Sequence, residues 1–374
     1  MGTLQGFSLV TPLVSIPISQ YTKDKPQDKV WNYAGKWWCV LATPGGTKIF
    51  RLDGTSWTPV LTIASGTRYK ADCWLVDNLV HILLFRSSTS YVVSVEYIPA
   101  SGTYVRWSQR SSNTPVTFPS GAETATLTVD GTGRMWLASD GTSDITVWWS
   151  DAPYTTFSSP ITIATGVTDD DLCVLTTLPG KIGIFWSNQN TKKFGFRTHN
   201  EGGVATTWSA DDVPASQSAL NIGAGMSDDH MSVKMASDGT LYFAVKTSYD
   251  LPGYPQISLL IRRPDGTWDN LYPVTINQGT QPHIILNETQ GTIKVVYTTI
   301  VNGGDIVYRE SSMENILFGV ERTLISGGGY LYNYTTSSHA TYNPEVVIMA
   351  TNQSTTPMQA VSILASDSPA DIIS

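Results

Sequence analysis

The sequence has no cluster of basic residues and no long apolar run, and each absence excludes a class of function. Lysine and arginine number 23 against 31 aspartates and glutamates, and the formal net charge is −8. Binding to nucleic acid or to an anionic membrane surface depends on clustered Lys and Arg side chains. A helix that spans a bilayer needs ~20 apolar residues, and no segment approaches that length. We therefore expect no nucleic-acid partner and no membrane insertion, and the oligomeric state stays open.

Strong helix signals are also missing. Charged residues make up only 14% of the chain, whereas Trp, Tyr and Phe reach 10%. The helix formers Glu, Lys and Ala are scarce, and no stretch keeps a 3.6-residue apolar period. Thr, Ser, Gly and aromatic residues, which favour strands and tight turns, fill much of the chain. The composition therefore predicts an all-β protein.

Cysteine is rare, and a secretory signal is missing from the N-terminal segment. Cys39, Cys73 and Cys173 lie in apolar strand-like segments whose spacing matches no metal motif, so we expect small buried side chains. A disulfide between Cys39 and Cys73 is left open.

The first residues lack the basic region and apolar core of a signal peptide. We expect an extracellular or cell-surface protein whose export signal is absent from this sequence, with a virion component as the alternative.

A repeated pattern is the most informative feature that is present. Seven units each read as a polar start followed by strand-like segments separated by turns, and equivalent starts lie 43 to 59 residues apart. This spacing fits four-stranded propeller blades of ~40–50 residues with loop insertions. Asp-Gly pairs, which favour tight hairpins, separate strand-like segments at 53–54 and 130–131. The units start at Lys29, Asp72, Thr124, Asp170, Asp229, Gln281 and His339.

The two ends of the chain complement each other. The seventh unit lacks its fourth strand, and the segment GFSLVTPLVSIP at 6–17 has the pattern of the missing strand. Pairing of the ends closes the ring and removes an exposed sheet edge. We therefore predict a single seven-bladed β-propeller of four-stranded antiparallel blades over residues 1–374, closed by an N-terminal strand at about 5–17. A pair of β-sandwiches is the alternative architecture.

Two turns resemble the Asp-box, roughly Ser-x-Asp-x-Gly-x-x-Trp, which bacterial sialidases and related propellers carry between the third and fourth strands of a blade. They are RLDGTSW at 51–57 and RPDGTW at 263–268, at the same point of units one and five, and both lack the leading Ser. The chain also resembles secreted bacterial propellers of uncertain function. The resemblance implies a propeller fold and a carbohydrate ligand, but the three-arginine clamp of sialidases has no place on this sequence.

Polar residues at the unit starts predict a site around the central channel, because the inner strands of a propeller converge there. Four units place a carboxylate at this point and three place a histidine. A histidine beside carboxylates suits general acid–base chemistry. The alternative is that polar residues flank any strand. The candidate catalytic residues are His230, His283 and Asp229, and the candidate binding residues are Lys29, Arg68, Asp72, Asp170, Arg197, His199, Lys246 and His339.

The acidic run at 169–171 is the one candidate for a metal ion. Asp169, Asp170 and Asp171 offer the hard oxygen ligands that Ca²⁺ prefers. The run lacks the D-x-D-x-D-G spacing of a calcium loop, so a solvated turn is the favoured interpretation. We predict no cofactor.

Three functions remain open at this stage. The first is glycan recognition at the polar mouth of the channel, for adhesion or attachment, with exposed tyrosines at 249–255 and 329–334 as sugar platforms. The second is a polysaccharide lyase or glycoside hydrolase that acts on an acidic polysaccharide, with Arg or Lys neutralising a uronate and a histidine moving the proton. The third is a structural or partner-binding propeller. The sequence favours the first.

Overall fold

The computed structural model describes residues 4–23, 25–87 and 89–367, and it confirms the all-β, seven-bladed propeller. Seven antiparallel sheets follow one another along the chain, and within each sheet the strands are ordered from the channel outwards. A 3-10 turn at Ser216–Ser218 is the one helical element among the described residues. None of that part of the chain forms a helix with the length and apolarity needed to cross a membrane.

The strands of the first four blades occupy residues 30–200. Before them the chain forms β1 (Leu9–Pro12) and β2 (Ile16–Ile18). Blade 1 contains β3 (Val30–Tyr33), β4 (Lys36–Thr43), β5 (Gly46–Asp53) and β6 (Ser56–Ala64). Blade 2 contains β7 (Lys70–Val76), β8 (Leu79–Phe85), β9 (Ser90–Ile98), β10 (Thr103–Arg106) and β11 (Thr114–Val116). Blade 3 contains β12 (Ala125–Val129), β13 (Met135–Asp140), β14 (Asp144–Ser150) and β15 (Ile161–Thr165), and blade 4 contains β16 (Cys173–Leu178), β17 (Lys181–Asn188) and β18 (Lys193–Asn200).

The remaining blades complete the ring. Blade 5 contains β19 (Met231–Met235), β20 (Leu241–Lys246), β21 (Ile257–Arg262) and β22 (Tyr272–Thr275). Blade 6 contains β23 (Thr280–Asn287), β24 (Thr292–Thr298), β25 (Ile306–Ser312) and β26 (Arg322–Ile325). Blade 7 contains β27 (Tyr332–Thr336), β28 (Glu345–Asn352) and β29 (Met358–Ser366), and it takes its outer strands from the N-terminus.

Packing of blade against blade explains why the inner and middle strands lack a clear polar face. Strand β24 is buried along its whole length, because both faces of its sheet contact neighbouring blades. Trp37 and Trp38, adjacent on β4, show the same arrangement on a small scale. Trp37 packs in a cluster with blade 7 residues, and Trp38 packs in a cluster with blade 2 residues. Successive side chains on a strand face opposite ways, so two neighbouring indoles serve two interfaces.

The N-terminal strand closes the ring, as the sequence predicts. Strand β1 pairs antiparallel with β29 from Leu9 opposite Ser366, and β2 pairs with the same strand from Ile16 opposite Ala360. The last strand of the chain therefore has no free edge along these segments. Because the first and last strands share one sheet, opening the ring requires breaking this ladder rather than sliding two blades apart.

A buried ionic cluster fastens both ends of the chain to blade 6. The Lys294 ammonium lies 3.0 Å from Asp367 Oδ1 and 2.9 Å from Glu310 Oε1, and all three side chains are buried. The Tyr342 hydroxyl donates to Asp367 Oδ2 at 2.6 Å, and the Gly6 N–H donates to Glu310 Oε2 at 2.9 Å. One lysine thus holds a residue just past β29 and, through Glu310, the segment that leads into β1.

Blade 7, blade 4 and the cysteines each show a detail that the sequence does not predict. The inner strand of blade 7 is β27, which ends at Thr336, so a unit start at His339 is wrong by several residues. The fourth position of blade 4 is filled by a single bridge between Phe196 and Asp212. Cys39 and Cys73 are buried free thiols, so the disulfide between them is not formed.

The lysine of the buried cluster provides a stability test. Changing Lys294→Met removes one charge and leaves two buried carboxylates without their counter-ion, which costs about 3–5 kcal/mol of unfolding free energy. Lys181→Met, at an exposed position on β17, serves as the matched control and is expected to stay within about 0.5 kcal/mol. Urea unfolding measures both. Equal stability of the two variants would contradict the role assigned to the cluster.

Candidate functional site

The central channel of the propeller contains a piece of its own chain. Residues 22, 23 and 25–29, here called the channel segment, lie between β2 and β3 and bond to several blades around the ring. The Thr22 N–H donates to Thr351 Oγ1 of blade 7 at 2.8 Å, and Gln27 Nε2 donates to the Ala125 carbonyl of blade 3 at 3.0 Å. Lys23, buried, donates to the Pro282 carbonyl of blade 6 at 3.0 Å. The channel is therefore filled rather than open.

Asp28 is the centre of the buried part of this segment. Its Oδ2 accepts from Lys234 Nζ at 2.9 Å, and its N–H donates to Asp72 Oδ1 at 2.8 Å. Asp72 Oδ2 accepts from the Leu127 N–H at 2.8 Å, so this carboxyl of blade 2 connects the channel segment to blade 3. Burial, together with the neighbouring Asp28, raises the pKa of Asp72 to about 8. His283 Nδ1 lies 3.5 Å from Asp28 Oδ1, and burial and Lys23 lower the pKa of this histidine well below its usual value.

Lys25 sits where the channel segment reaches the surface, on the face where the inner strands begin, here called the entry face. Its ammonium lies 2.5 Å from Glu123 Oε2 and also contacts Asp229 Oδ2. Burial opposes the charge, but Asp229 and Glu123 raise the pKa of Lys25 above its usual value. Carboxylate oxygens of Glu123, Asp170 and Asp229 lie within 4.8 Å of one another. We call these three residues the entry carboxylates.

His230 is an ion-paired side chain rather than a free base. Its Nδ1 lies 2.9 Å from Asp228 Oδ1 and 2.6 Å from Asp229 Oδ1. Burial acts to lower its pKa, but Asp229 and Asp228 raise that pKa to about 9. Asp228 is further neutralised by Lys246 Nζ at 2.7 Å. At neutral pH His230 therefore carries a proton, so it donates hydrogen bonds and cannot accept a proton from a substrate.

The predicted residues divide into three groups. Asp170, Asp229, His230 and Lys246 come together at the entry face, and Arg68 lies beside them on the same face. Lys29, Asp72 and His283 are buried below this surface, inside the channel. Asp72 and His283 lie within β7 and β23 rather than at the strand starts, which explains their burial.

Arg197 and His199 do not belong to the site. Both lie on β18, the third strand from the channel. Arg197 pairs with Asp211, and His199 Nδ1 lies 2.8 Å from the Thr207 carbonyl. Two-residue periodicity correctly places them on one side of a strand, but it carries no information on the distance of that strand from the axis.

His339 lies at the opposite end of the channel. It follows the end of β27, and its ring stacks on Trp74 with centroids 4.2 Å apart and planes 12° apart. The pair borders a pocket of about 340 Å³ on the face where inner strands end. Burial lowers the pKa of His339 to about 3, so the ring is neutral. The prediction that His339 joins the other histidines at one mouth is therefore wrong.

The acidic run at 169–171 does not converge on one point. The Asp171 side chain is buried and accepts from the Thr168 and Gln189 backbone N–H groups at 2.7 and 3.1 Å, so it caps a turn. Asp170 instead faces Asp229, and burial and that neighbour raise its pKa.

Fewer tyrosines are exposed as sugar platforms than the sequence predicts. Tyr249 is buried, and Tyr334 stacks on Tyr21 with centroids 4.0 Å apart.

A pocket of about 450 Å³ opens beside the entry carboxylates, between the starts of blades 2 and 3. Arg68 precedes β7, and Arg86 follows the end of β8 on the same face. Phe85 lines the wall, and Glu123 joins the pocket to the entry carboxylates. Arg86 is not among the predicted site residues, although its position directly after the second strand of a blade implies the same face as the start of the first strand.

No protein-family profile and no curated protein matches the sequence. Polysaccharide lyase Uly1 has a similar structure, with a TM-score of 0.58, 8% identity and coverage of 97% of this chain and 99% of that one. A PL25 ulvan lyase bound to -[GlcA(1-4)Rha3S]- gives a TM-score of 0.55 at 10% identity, covering 93% and 95%. A protein of unknown function from Dyadobacter fermentans gives 0.51 at 13%, covering 97% and 100%. These likenesses establish the propeller fold.

The paired state of His230 predicts a specific pH dependence of stability. Its pKa in the folded chain, about 9, lies above the unfolded value near 6.5. The stabilisation is therefore complete below pH ~6.5 and is lost as pH rises through 9, and it amounts to about 3 kcal/mol. We expect the difference in unfolding free energy between the natural chain and His230→Gln to be large at pH 6 and to shrink by pH 9.5. A difference that is equal at both pH values would refute the ion pairing.

Proposed function

We propose that this chain binds a carbohydrate at the entry face and releases it unchanged. The ligand would lie over the entry carboxylates Glu123, Asp170 and Asp229 and extend into the adjoining pocket. Carboxylate acceptors, the Lys25 ammonium and a pocket lie together at this place on the surface. The protein would act outside the cell or at a cell or virion surface, where glycans are available for attachment.

The observation that carries the proposal is the rigid placement of partly exposed carboxylates beside a pocket. Lys25 holds Glu123 and Asp229, while the Glu123 side chain remains 41% exposed. Carboxylate oxygens accept hydrogen bonds from pairs of sugar hydroxyls, and preset geometry lowers the entropic cost of binding. The pocket volume of about 450 Å³ falls within the range of about 300–1,000 Å³ typical of ligand sites.

The same geometry argues against cleavage of the ligand. A lyase or hydrolase that uses histidine as a base needs a neutral imidazole within reach of the substrate. His230 is at the right face, but its two carboxylate partners stabilise its protonated form. His283 is neutral but buried in the channel, and His339 is at the opposite face. The fold shared with polysaccharide lyases supports carbohydrate interaction, and the placement of the histidines favours binding alone.

Binding and turnover are separated by one experiment with matched variants. Calorimetry with a panel of oligosaccharides is expected to give saturable binding, while absorbance shows no unsaturated product. The double variant Glu123→Gln and Asp170→Asn removes two acceptor charges and is expected to weaken affinity at least tenfold. Glu314→Gln, at an exposed position after β25, is the control and should leave the affinity unchanged.

Two results would contradict the proposal. Absence of binding to every oligosaccharide in the panel would exclude the glycan function and favour a partner-binding propeller. Accumulation of unsaturated or hydrolysed product that depends on His230 would show that the protein is an enzyme rather than a binding protein.

A further inference from the structure

We propose that the pocket between Arg68 and Arg86 binds an anionic group of the ligand, a carboxylate or a sulfate ester carried on a sugar ring. This inference rests on the proposed glycan function and names the chemical class of the glycan. It assigns a binding role to Arg86 as well as to Arg68.

Most arginines of this protein already form ion pairs with carboxylates or donate hydrogen bonds to backbone carbonyls. Six of the eleven form ion pairs with aspartate or glutamate. Three others donate to backbone carbonyls. Arg68 and Arg86 are left, and both lie in the same pocket. The paired arginines are Arg51, Arg134, Arg197, Arg262, Arg263 and Arg309, and those bound to carbonyls are Arg106, Arg110 and Arg322.

The two remaining guanidinium groups are available to a ligand. Arg68 is exposed and makes no hydrogen bond or ion pair within residues 4–23, 25–87 and 89–367. Arg86 is exposed and bonds through its side chain to Tyr69. That contact orients the guanidinium but leaves its charge uncompensated. Planar guanidinium groups bind carboxylate and sulfate oxygens through two parallel hydrogen bonds.

The pocket has a positive charge on a chain whose net charge is −8. Lys70 adds a third cation, and its ammonium donates to the Glu123 carbonyl at 2.9 Å. Glu123, the carboxylate among the described lining residues, is already paired with Lys25. The two exposed guanidinium groups of Arg68 and Arg86 therefore face a neutralised carboxylate. An anionic substituent fits this local field, although the overall charge of the protein would repel it.

The neighbouring entry carboxylates set the orientation of such a ligand. Glu123 lines the pocket, and carboxylate oxygens of Asp170 and Asp229 lie within 4.8 Å of its own. A sugar with its anionic group between Arg68 and Arg86 would present hydroxyl groups to these carboxylates. The reverse orientation would bring like charges together, which disfavours binding. The entry face would therefore bind both the anionic group and the hydroxyl groups of an acidic monosaccharide unit.

The test compares oligosaccharides of one length that differ in charge. Calorimetry uses a chondroitin sulfate hexasaccharide, its desulfated form, which keeps the uronate carboxylates, and neutral chitohexaose. Arg68→Gln combined with Arg86→Gln is expected to weaken binding of a charged hexasaccharide at least tenfold and of the neutral one less than twofold. Lys36→Gln combined with Lys181→Gln removes two charges from exposed positions on the opposite face and is expected to change neither affinity.

The outcomes separate this inference from the function on which it rests. Loss of affinity only for the sulfated ligand identifies a sulfate ester, and equal loss for the desulfated form identifies the carboxylate. If charged and neutral hexasaccharides bind equally and the arginine variant changes neither, the inference is wrong and the glycan function stands. If no hexasaccharide binds while inorganic sulfate does, the pocket holds a free anion and both proposals are wrong.

Discussion

Charge buried inside a ring of sheets is the constraint on which the rest of this structure depends. A buried charge without a partner costs several kcal/mol, so each charged side chain of the channel segment needs an opposite charge or a polar partner at the right height. Asp28 is matched by Lys234, and Lys25 is matched by Glu123 and Asp229. These partners come from different blades. The radial arrangement and the channel segment therefore fix each other, and the entry face inherits its geometry from both.

Closure of the ring depends on the same N-terminal part of the chain that fills the channel. The segment that fills the channel begins directly after the strands that pair with β29, so the N-terminal part of the chain closes blade 7 and then fills the axis. Lys294 fastens the beginning and the end of this arrangement to blade 6.

The sequence predicts the fold well because the repeat depends on many residues along the chain. Misassigning one strand therefore does not change the number of blades. It also locates Asp170, Asp229 and Lys246, because direction along a strand follows from strand order. It fails for Arg197 and His339. Radial position depends on which strand of the blade carries the residue, and face depends on register, and neither is encoded locally. The sequence at 23–29 is rich in charges in a chain that has few, but the positions of strand starts do not indicate that the channel segment occupies the channel.

The channel segment is the element that distinguishes this account from an open-mouthed propeller. Its amides are the direct test: those of Thr22, Asp28 and Lys29 donate to partners on blades 7 and 2. Residue-resolved hydrogen exchange is predicted to protect these three amides as strongly as the amides of the inner strand β19. Exchange as fast as that of the exposed loop at Val204 would show that the segment does not occupy the channel, and the entry face would lose its support.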